Sequence, residues 1–325
     1  MEKIIRTGIV GYGNLGKGVE LALKQNPDFE LKAIFTRRDI SSYSGDAKLA
    51  GISDVWDYKN DIDVIILCGG SANDLPVQGP MLSAGFNTVD SYDNHSKIPE
   101  YFSKVNEVAL ASNRVSLISV GWDPGLFSLN RLLAEAILPQ GKNYTFWGKG
   151  VSQGHSDAIR RIKGVKKGIQ YTVPVEKVVE KVRACENPDL CARDKHKRIC
   201  YVVAEESEDL GRIKKEIISM PNYFADYDTE VYFISEEEML KNHSKMPHGG
   251  FVIHTGTTGN YNKQRMEFSL TLESNPEFTS SILVAYARAV YRLSSEGKKG
   301  AFSVFDVPFS YLSPKTGEEL RKALL

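Results

Sequence analysis

The sequence predicts an α/β chain: a doubly wound parallel sheet followed by an α+β region with a mixed sheet. Three observations carry this. The apolar residues Ile9 and Val10 run into Gly11-Tyr12-Gly13-Asn14-Leu15-Gly16, and a helical pattern of Leu15, Val19, Leu21, Ala22 and Leu23 follows. That is the order a Rossmann-type βαβ unit needs. Strand and helix patterns then alternate to about residue 120, including a continuous apolar strand at 61–68, as expected where both faces of a parallel sheet are covered. Beyond Gly125 the alternation loosens, and period-two segments such as Met266, Phe268, Leu270 and Leu272 signal strands with one solvated face.

The first turn carries the most chemistry. Gly11 permits the tight turn, Gly13 lets a pyrophosphate approach the backbone, and Gly16 lets the helix pack close to the strand. With Asn14 and Leu15 these residues form a candidate dinucleotide site, in which phosphates meet the N–H groups and the positive dipole end of the helix. The second strand, 29–35, ends in Thr36-Arg37-Arg38. An enzyme using NAD usually places a carboxylate there for the ribose 2′-hydroxyl. A hydroxyl and two guanidiniums suit a 2′-phosphate instead, so NADP is the expected cofactor.

Residues 39–57 read as irregular, with room for one short element. The strand at 61–68 ends in Cys68-Gly69-Gly70-Ser71, on the sheet edge that faces a cofactor. The two glycines would let the backbone pass close to ribose or nicotinamide, and Cys68 reads as a small apolar residue rather than a nucleophile. A helix over 75–84 and a strand over 86–89 lead to Asp90-Ser91-Tyr92-Asp93-Asn94-His95. A helix over 98–111 and a strand over 115–119 lead to Gly121-Trp122-Asp123-Pro124-Gly125. Each aspartate alone could serve a turn or an N-cap. Two successive strands delivering Asp93 and Asp123 to one sheet edge favour function.

In the second half, helices are expected over 127–138, 175–184, 208–220 and 278–293. Strands are expected over 144–147, 165–173, 198–204, 230–234, 250–255 and 264–272. The boundary reading is a dinucleotide-binding domain over 1–120 and a second region over 121–299, with 300–325 able to return to the first. Cys185, Cys191, His196 and Cys200 have no CxxC pair among them, so no metal site is expected.

The chain has 325 residues, with 41 Lys plus Arg balanced by 41 Asp plus Glu. That balance points to neither a nucleic-acid nor a membrane partner. No apolar run approaches the ~20 residues of a membrane helix. Four scattered cysteines and a first strand that starts at once suggest a reduced, cytoplasmic protein without a signal peptide.

Together these motifs resemble the meso-diaminopimelate D-dehydrogenases over nearly the whole chain. The resemblance runs through GYGNLG (11–16), TRR (36–38), SYDNH (91–95), GWDPGLFSLNR (121–131), FWGKGVSQGHSDAIRRI (146–162), QYTVP (170–174), HKR (196–198), MPHGG (246–250) and NPEFT (275–279). It implies a homodimer whose second region serves dimerisation and substrate binding. It implies reversible NADP-dependent oxidative deamination at the D-centre of meso-diaminopimelate. On this resemblance Asp93 and Asp123 stand at the reacting amino group, and Trp122 and Trp147 wall the pocket. Gln153, Gly154 and His155 line the reacting end. Arg198, with Thr172, His248 and Asn275, grips the distal carboxylate. Taken singly, His248 could be a structural hydrogen-bonding residue, and His155 could simply precede a helix. Two other classes share the plan: another NADP-dependent two-domain reductase, such as a dihydrodipicolinate reductase or a sugar dehydrogenase, and a non-catalytic NADP-binding regulator. The Glu-Lys-Pro signature of the sugar enzymes is absent.

Overall fold

The computed structural model describes residues 4–37, 43, 45 and 47–325. The chain divides into two compact units, Met1–Leu129 with Pro276–Leu325, and Asn130–Asn275. The sequence places the boundaries at 120/121 and 299/300. The difference lies chiefly in the long helix Asn275–Ser295, whose residues from Pro276 onward belong to the first unit.

The first unit is built on strands β1 (Ile5–Val10), β2 (Phe29–Thr36), β3 (Lys48–Gly51), β4 (Val64–Leu67), β5 (Asn87–Asp90) and β6 (Val115–Leu117). They lie in the order β6-β5-β4-β1-β2-β3, and a last strand, Gly300–Phe302, pairs in parallel with β6. Every pairing is parallel. The order reverses beside β1, which creates the crevice where such sheets bind ligands. All four β4 residues are buried, because covering both faces leaves no place for a polar alternation. Helices α1 (Asn14–Lys24), α2 (Leu75–Ser83) and α3 (Ile98–Ala111) connect the strands. The segment expected to be irregular supplies β3 and a 3-10 turn, Ile52–Tyr58, which buries Val55.

The long helix Asn275–Ser295 is fastened to this unit at two places. Ser280 Oγ donates to the Leu15 carbonyl at 2.9 Å, in space that a Cβ on Gly18 would fill. Arg288 is buried and donates to both Asp28 carboxylate oxygens, to Asn26 Oδ1 and to the Leu312 carbonyl. One cation thus joins the helix, the start of β2 and the C-terminal segment. Helix α4 (Leu126–Ile137) crosses the boundary into the second unit.

The second unit holds β7 (Lys142–Trp147), β8 (Gly150–Val151), β9 (Val165–Pro174), β10 (His196–Ala204), β11 (Asp228–Phe233), β12 (His248–Thr258) and β13 (Asn262–Leu272). These form two sheets rather than one, β11-β10-β9-β8 and β13-β12-β7. Only the β10–β11 pairing is parallel. Helices α5 (Gln153–Arg160), α6 (Glu176–Arg183), α7 (Ala192–Lys195), α8 (Leu210–Ile218) and α9 (Glu236–Asn242) complete it. Ile159, Cys200, Val202, Ile213, Ile217 and Phe224 form one core beneath the first sheet. Tyr144, Phe146, Val179, Val182 and Ile253 form another beneath the second. On β13 the expected alternation holds: Met266, Phe268 and Leu270 are half-buried, Leu272 is buried, and Ser269 and Thr271 are exposed.

Candidate active site

In the first unit the glycine turn has the shape its spacing requires. Gly11 sits at φ +95°, and a Cβ there would lie 3.1 Å from the Cys68 carbonyl. A Cβ on Gly16 would lie 2.1 Å from the Gly11 oxygen, so strand and helix meet only because both are glycine. Gly13 is the N-cap of α1. No side chain caps this end and no acidic residue stands in its first turn. The N-terminus of α1, carrying Asn14 and Leu15, therefore keeps the partial positive charge that suits a phosphate. These residues fit a dinucleotide.

At the end of β2, Thr36 is buried and Arg37 is exposed. Arg37 pairs with Asp74 at 2.7 Å, and Asp74 also accepts from the Gly70 N–H at 3.0 Å. The arginine is thus held beside the Cys68-Gly69-Gly70-Ser71 turn, an ion pair that sequence spacing does not reveal. Arg38 lies outside the described residues. Burial pushes the Cys68 thiol far up, and its sulfur faces the Ile66 carbonyl, so it is no nucleophile at neutral pH.

Asp93 and Asp123 follow β5 and β6, which are paired neighbours. Asp93 is exposed, and its N–H donates to Ser71 Oγ at 3.2 Å, joining the loops after β4 and β5. Asp90 ties the loops after β5 and β6. Its buried carboxylate accepts from the N–H groups of Tyr92 (2.9 Å) and Ser119 (3.1 Å) and from the Tyr101 hydroxyl (2.6 Å). Its carbonyl accepts from Val120 N–H at 2.8 Å. Burial pushes the Asp90 carboxyl up to about 6, against the bonds that lower it. The sequence showed Asp90 only as a strand-end residue. The 121–125 turn is closed by a bridge between Trp122 and Gly125, and the Trp122 ring stands edge-on to Phe127 at 5.2 Å.

In the second unit the register does the assembling. Arg198 on β10 lies directly opposite Thr172 on β9, and Gly150 on β8 flanks Thr172 on its other side. Cross-strand partners share a face, so the guanidinium reaches Thr172 without any loop. Arg198 Nη1 donates to Thr172 Oγ1. His248 packs against Gly150, where an added Cβ would lie 2.6 Å from its ring. The Asn275 N–H donates to the Met246 carbonyl, which holds Asn275 near the start of β12.

Arg198 is 6% exposed, its Nε has no partner, and its guanidinium lies 3.9 Å over the Tyr227 ring. Among the described residues no carboxylate pairs with it, and burial pulls its pKa down. A buried charge without a countercharge is costly, so the position is built for an anion. Tyr227 had no signal in the sequence, since the contact is made across β10 and the approach to β11.

Around Arg198 the histidines are neutral. His155 stands in the first turn of α5 rather than ahead of a helix. Its Nδ1 is 2.8 Å from Ser152 Oγ, and its buried Nε2 has no partner. Burial, then the charge of Arg198, lowers it to about 4. His248 is lowered by burial first. His196 Nε2 accepts the main-chain N–H of Trp147 at 2.8 Å, and its ring stacks on the indole at 5.2 Å. Burial, then Arg198 and Lys195, lowers His196 to about 3. Gln153 Nε2 reaches Met246 Sδ, and a Cβ on Gly154 would meet nothing within 4 Å. No group of three or more His, Cys, Asp or Glu among the described residues could hold a metal ion.

Three kinds of likeness bear on this constellation. The diaminopimelic acid dehydrogenase C-terminal domain matches residues 121–274. The meso-diaminopimelate D-dehydrogenase of Ureibacillus thermosphaericus is 62% identical, over 99% of each chain. A multiply substituted mutant of the Clostridium tetani enzyme, solved with DAP, is 61% identical with a TM-score of 0.94, covering 99% of this chain and all of its own. An engineered D-amino acid dehydrogenase bound to NADP+ is 44% identical with a TM-score of 0.88, over 99% of each chain. The glycine turn, the paired aspartate loops and the buried arginine therefore have relatives along the full length, and this chain belongs to the meso-diaminopimelate D-dehydrogenase family.

Proposed function

We propose that the protein catalyses reversible NADP-dependent oxidative deamination of the D-centre of meso-2,6-diaminopimelate. The products are L-2-amino-6-oxopimelate, which cyclises to tetrahydrodipicolinate, and ammonia. The setting is lysine and diaminopimelate biosynthesis in the cytoplasm. The observation that carries this reading is Arg198, a buried guanidinium with no countercharge among the described residues. The substrate's distal end is an amino acid whose carboxylate matches its fork. The Clostridium tetani mutant is altered at a Gln, a Thr, an Arg, a Pro, a His and an Asn. Their order and spacing are those of Gln153, Thr172, Arg198, Pro247, His248 and Asn275.

NADP, held by the 11–16 turn, the start of α1 and the Thr36-Arg37-Arg38 strand end, supplies the hydride acceptor when bound. The remaining chemistry belongs to the chain. An ammonium group has no lone pair to push toward the carbon that loses hydride, so the amine must be neutral. Asp93 and Asp123 orient it and accept its proton. Trp122 and Trp147 exclude water, which strengthens those charge interactions. Gln153, Gly154 and His155 line the reacting end. Arg198, Thr172, His248 and Asn275 hold the distal one. A homodimer is supported by Leu132, Leu133 and Ile137 on α4, apolar side chains that are 48–56% exposed.

The test is NADPH formation with the separate stereoisomers of diaminopimelate. Turnover of the meso form, with none of the L,L form, is expected. Indifference to the stereoisomer would sink the D-centre assignment. Reduction of dihydrodipicolinate instead would favour the reductase class, and NADP binding without turnover would favour a regulator.

A further inference from the structure

The mechanism leaves the buried side chain of Gln170 unused. Gln170 on β9 is wholly buried, two residues from Thr172 and on the same face of the strand. Its cross-strand partner is Cys200, which belongs to the apolar core. Gln170 Nε2 donates to Thr172 Oγ1 at 3.3 Å, and its Oε1 has no partner. A half-satisfied buried amide is destabilising, and an apolar residue in its place would extend the core.

The geometry of Thr172 gives the amide a use. A hydroxyl has one proton and two lone pairs. Arg198 Nη1 donates into one lone pair and Gln170 Nε2 into the other. The hydroxyl proton must then point elsewhere. We infer that Gln170 is a positioning residue for the distal clamp: by filling the second lone pair of Thr172 it leaves that hydroxyl as a donor to the substrate's distal carboxylate. The inference rests on the reading of Arg198 and Thr172 as that clamp. It deepens the reading, because a donor-only Thr172 beside a guanidinium selects a group that only accepts. The distal centre is thereby chosen for its carboxylate and not for its ammonium.

The main chain of Gln170 is anchored separately. Its N–H donates to Ser156 Oγ at 3.0 Å, and its carbonyl accepts from Ser152 N–H at 3.1 Å. Replacing the side chain leaves these bonds to the start of α5 in place, so the amide's own effect can be read.

The experiment is a double-mutant cycle on Gln170 and Thr172, with melting temperature and NADP binding measured first. Thr172→Val should raise KM for meso-diaminopimelate about tenfold. Gln170→Leu should raise it about fivefold, with kcat changed less than twofold. These sizes are those of one lost hydrogen bond to a charged group and one to a neutral group. In the Thr172→Val background Gln170→Leu should add less than twofold, because the proton it aims is gone. Should Gln170→Leu fail to fold, Gln170→Met takes its place in the cycle. An unchanged KM in the single Gln170 variant, or full multiplication of the two effects, overturns the inference while leaving the clamp standing. An unchanged KM in Thr172→Val overturns Thr172's place in the clamp itself.

Discussion

Arg198→Met separates what the arginine does for the substrate from what it does to the fold. In the structure the Arg198 guanidinium donates to Thr172 and stacks on Tyr227. It is 6% exposed, and among the described residues it has no ion-pair partner. Methionine has similar reach and no charge. Removing an uncompensated buried cation should therefore leave the free protein as stable or more stable, by ~1–3 kcal/mol. The substrate loses two charge-assisted bonds of ~1.5–3 kcal/mol each. The sum of ~3–6 kcal/mol corresponds to roughly 10²–10⁴-fold in kcat/KM. Urea titrations with and without meso-diaminopimelate, beside steady-state NADPH formation, read both terms. Wild type should gain stability from the substrate, and the variant should gain little at the same concentration. D-lysine is meso-diaminopimelate without the distal carboxylate, and its turnover relative to the full substrate should improve, since no buried guanidinium is left unpaired. A KM within threefold of wild type would refute the clamp. So would a destabilised variant whose activity falls only with its folded fraction.

Asp123→Asn keeps size and an acceptor but removes the proton-accepting charge, so kcat/KM should fall ~10²–10⁴-fold with NADP binding retained; near-normal activity per folded molecule would make Asp123 a turn residue only. Asp93→Asn should follow the same pattern, less severely, since its main chain stays tied to Ser71. Replacing Arg37 and Arg38 together by Ala should cost NADP binding ~1.5–3 kcal/mol per lost phosphate bond and leave NAD binding almost untouched; equal losses would remove them from the 2′-phosphate. His196 titrates near 3 in the folded chain and near 6.5 when unfolded. The unfolded chain therefore takes up its proton first, and this part of the stability is present above about 6.5 and lost as pH falls toward 3. The urea midpoint should fall less steeply over that window in His196→Gln, and parallel curves would show that His196 is not the group responsible.

What the sequence made legible was local or periodic. The β1–turn–α1 unit is contiguous, and β4 is apolar throughout because it is covered twice. Asp93 and Asp123 could be paired because successive parallel strands end on one edge. Helix α5 was missed because only Ser156, Ala158 and Ile159 are buried along it, too few to show a 3.6-residue period. The short element that 39–57 leaves room for is strand β3, whose type and place do not show because four residues at a sheet edge carry no pattern. The helix Asn275–Ser295 is legible as a helix, but the unit it packs in is not. Its apolar face reads the same whichever sheet it covers, and the residues that decide, Ser280 and Arg288, meet partners about 260 positions away. Tyr227 and Asp74 are set by tertiary contact alone. Gln170 was within reach, since it shares a face with Thr172 at period two, but nothing local distinguishes it from an exposed glutamine.

Arg198 biases the protonation of the histidines around it. His155, His196 and His248 are each lowered by burial, and the positive charge of Arg198 adds to that in all three. At neutral pH they are uncharged, and on the proposed reading Arg198 is the cation that meets the distal carboxylate. Neutrality also has a structural consequence. The Trp147 N–H is accepted by His196 Nε2. A protonated imidazole has no lone pair there, so the main chain of Trp147 keeps this bond only while His196 is neutral. Arg198 thus favours the anchoring state of a tryptophan it need not touch. A bound carboxylate would offset the charge of Arg198 and relax that pressure, but burial is the larger cause and remains. On the proposed reading, His196 therefore still accepts the Trp147 main-chain N–H when a carboxylate binds.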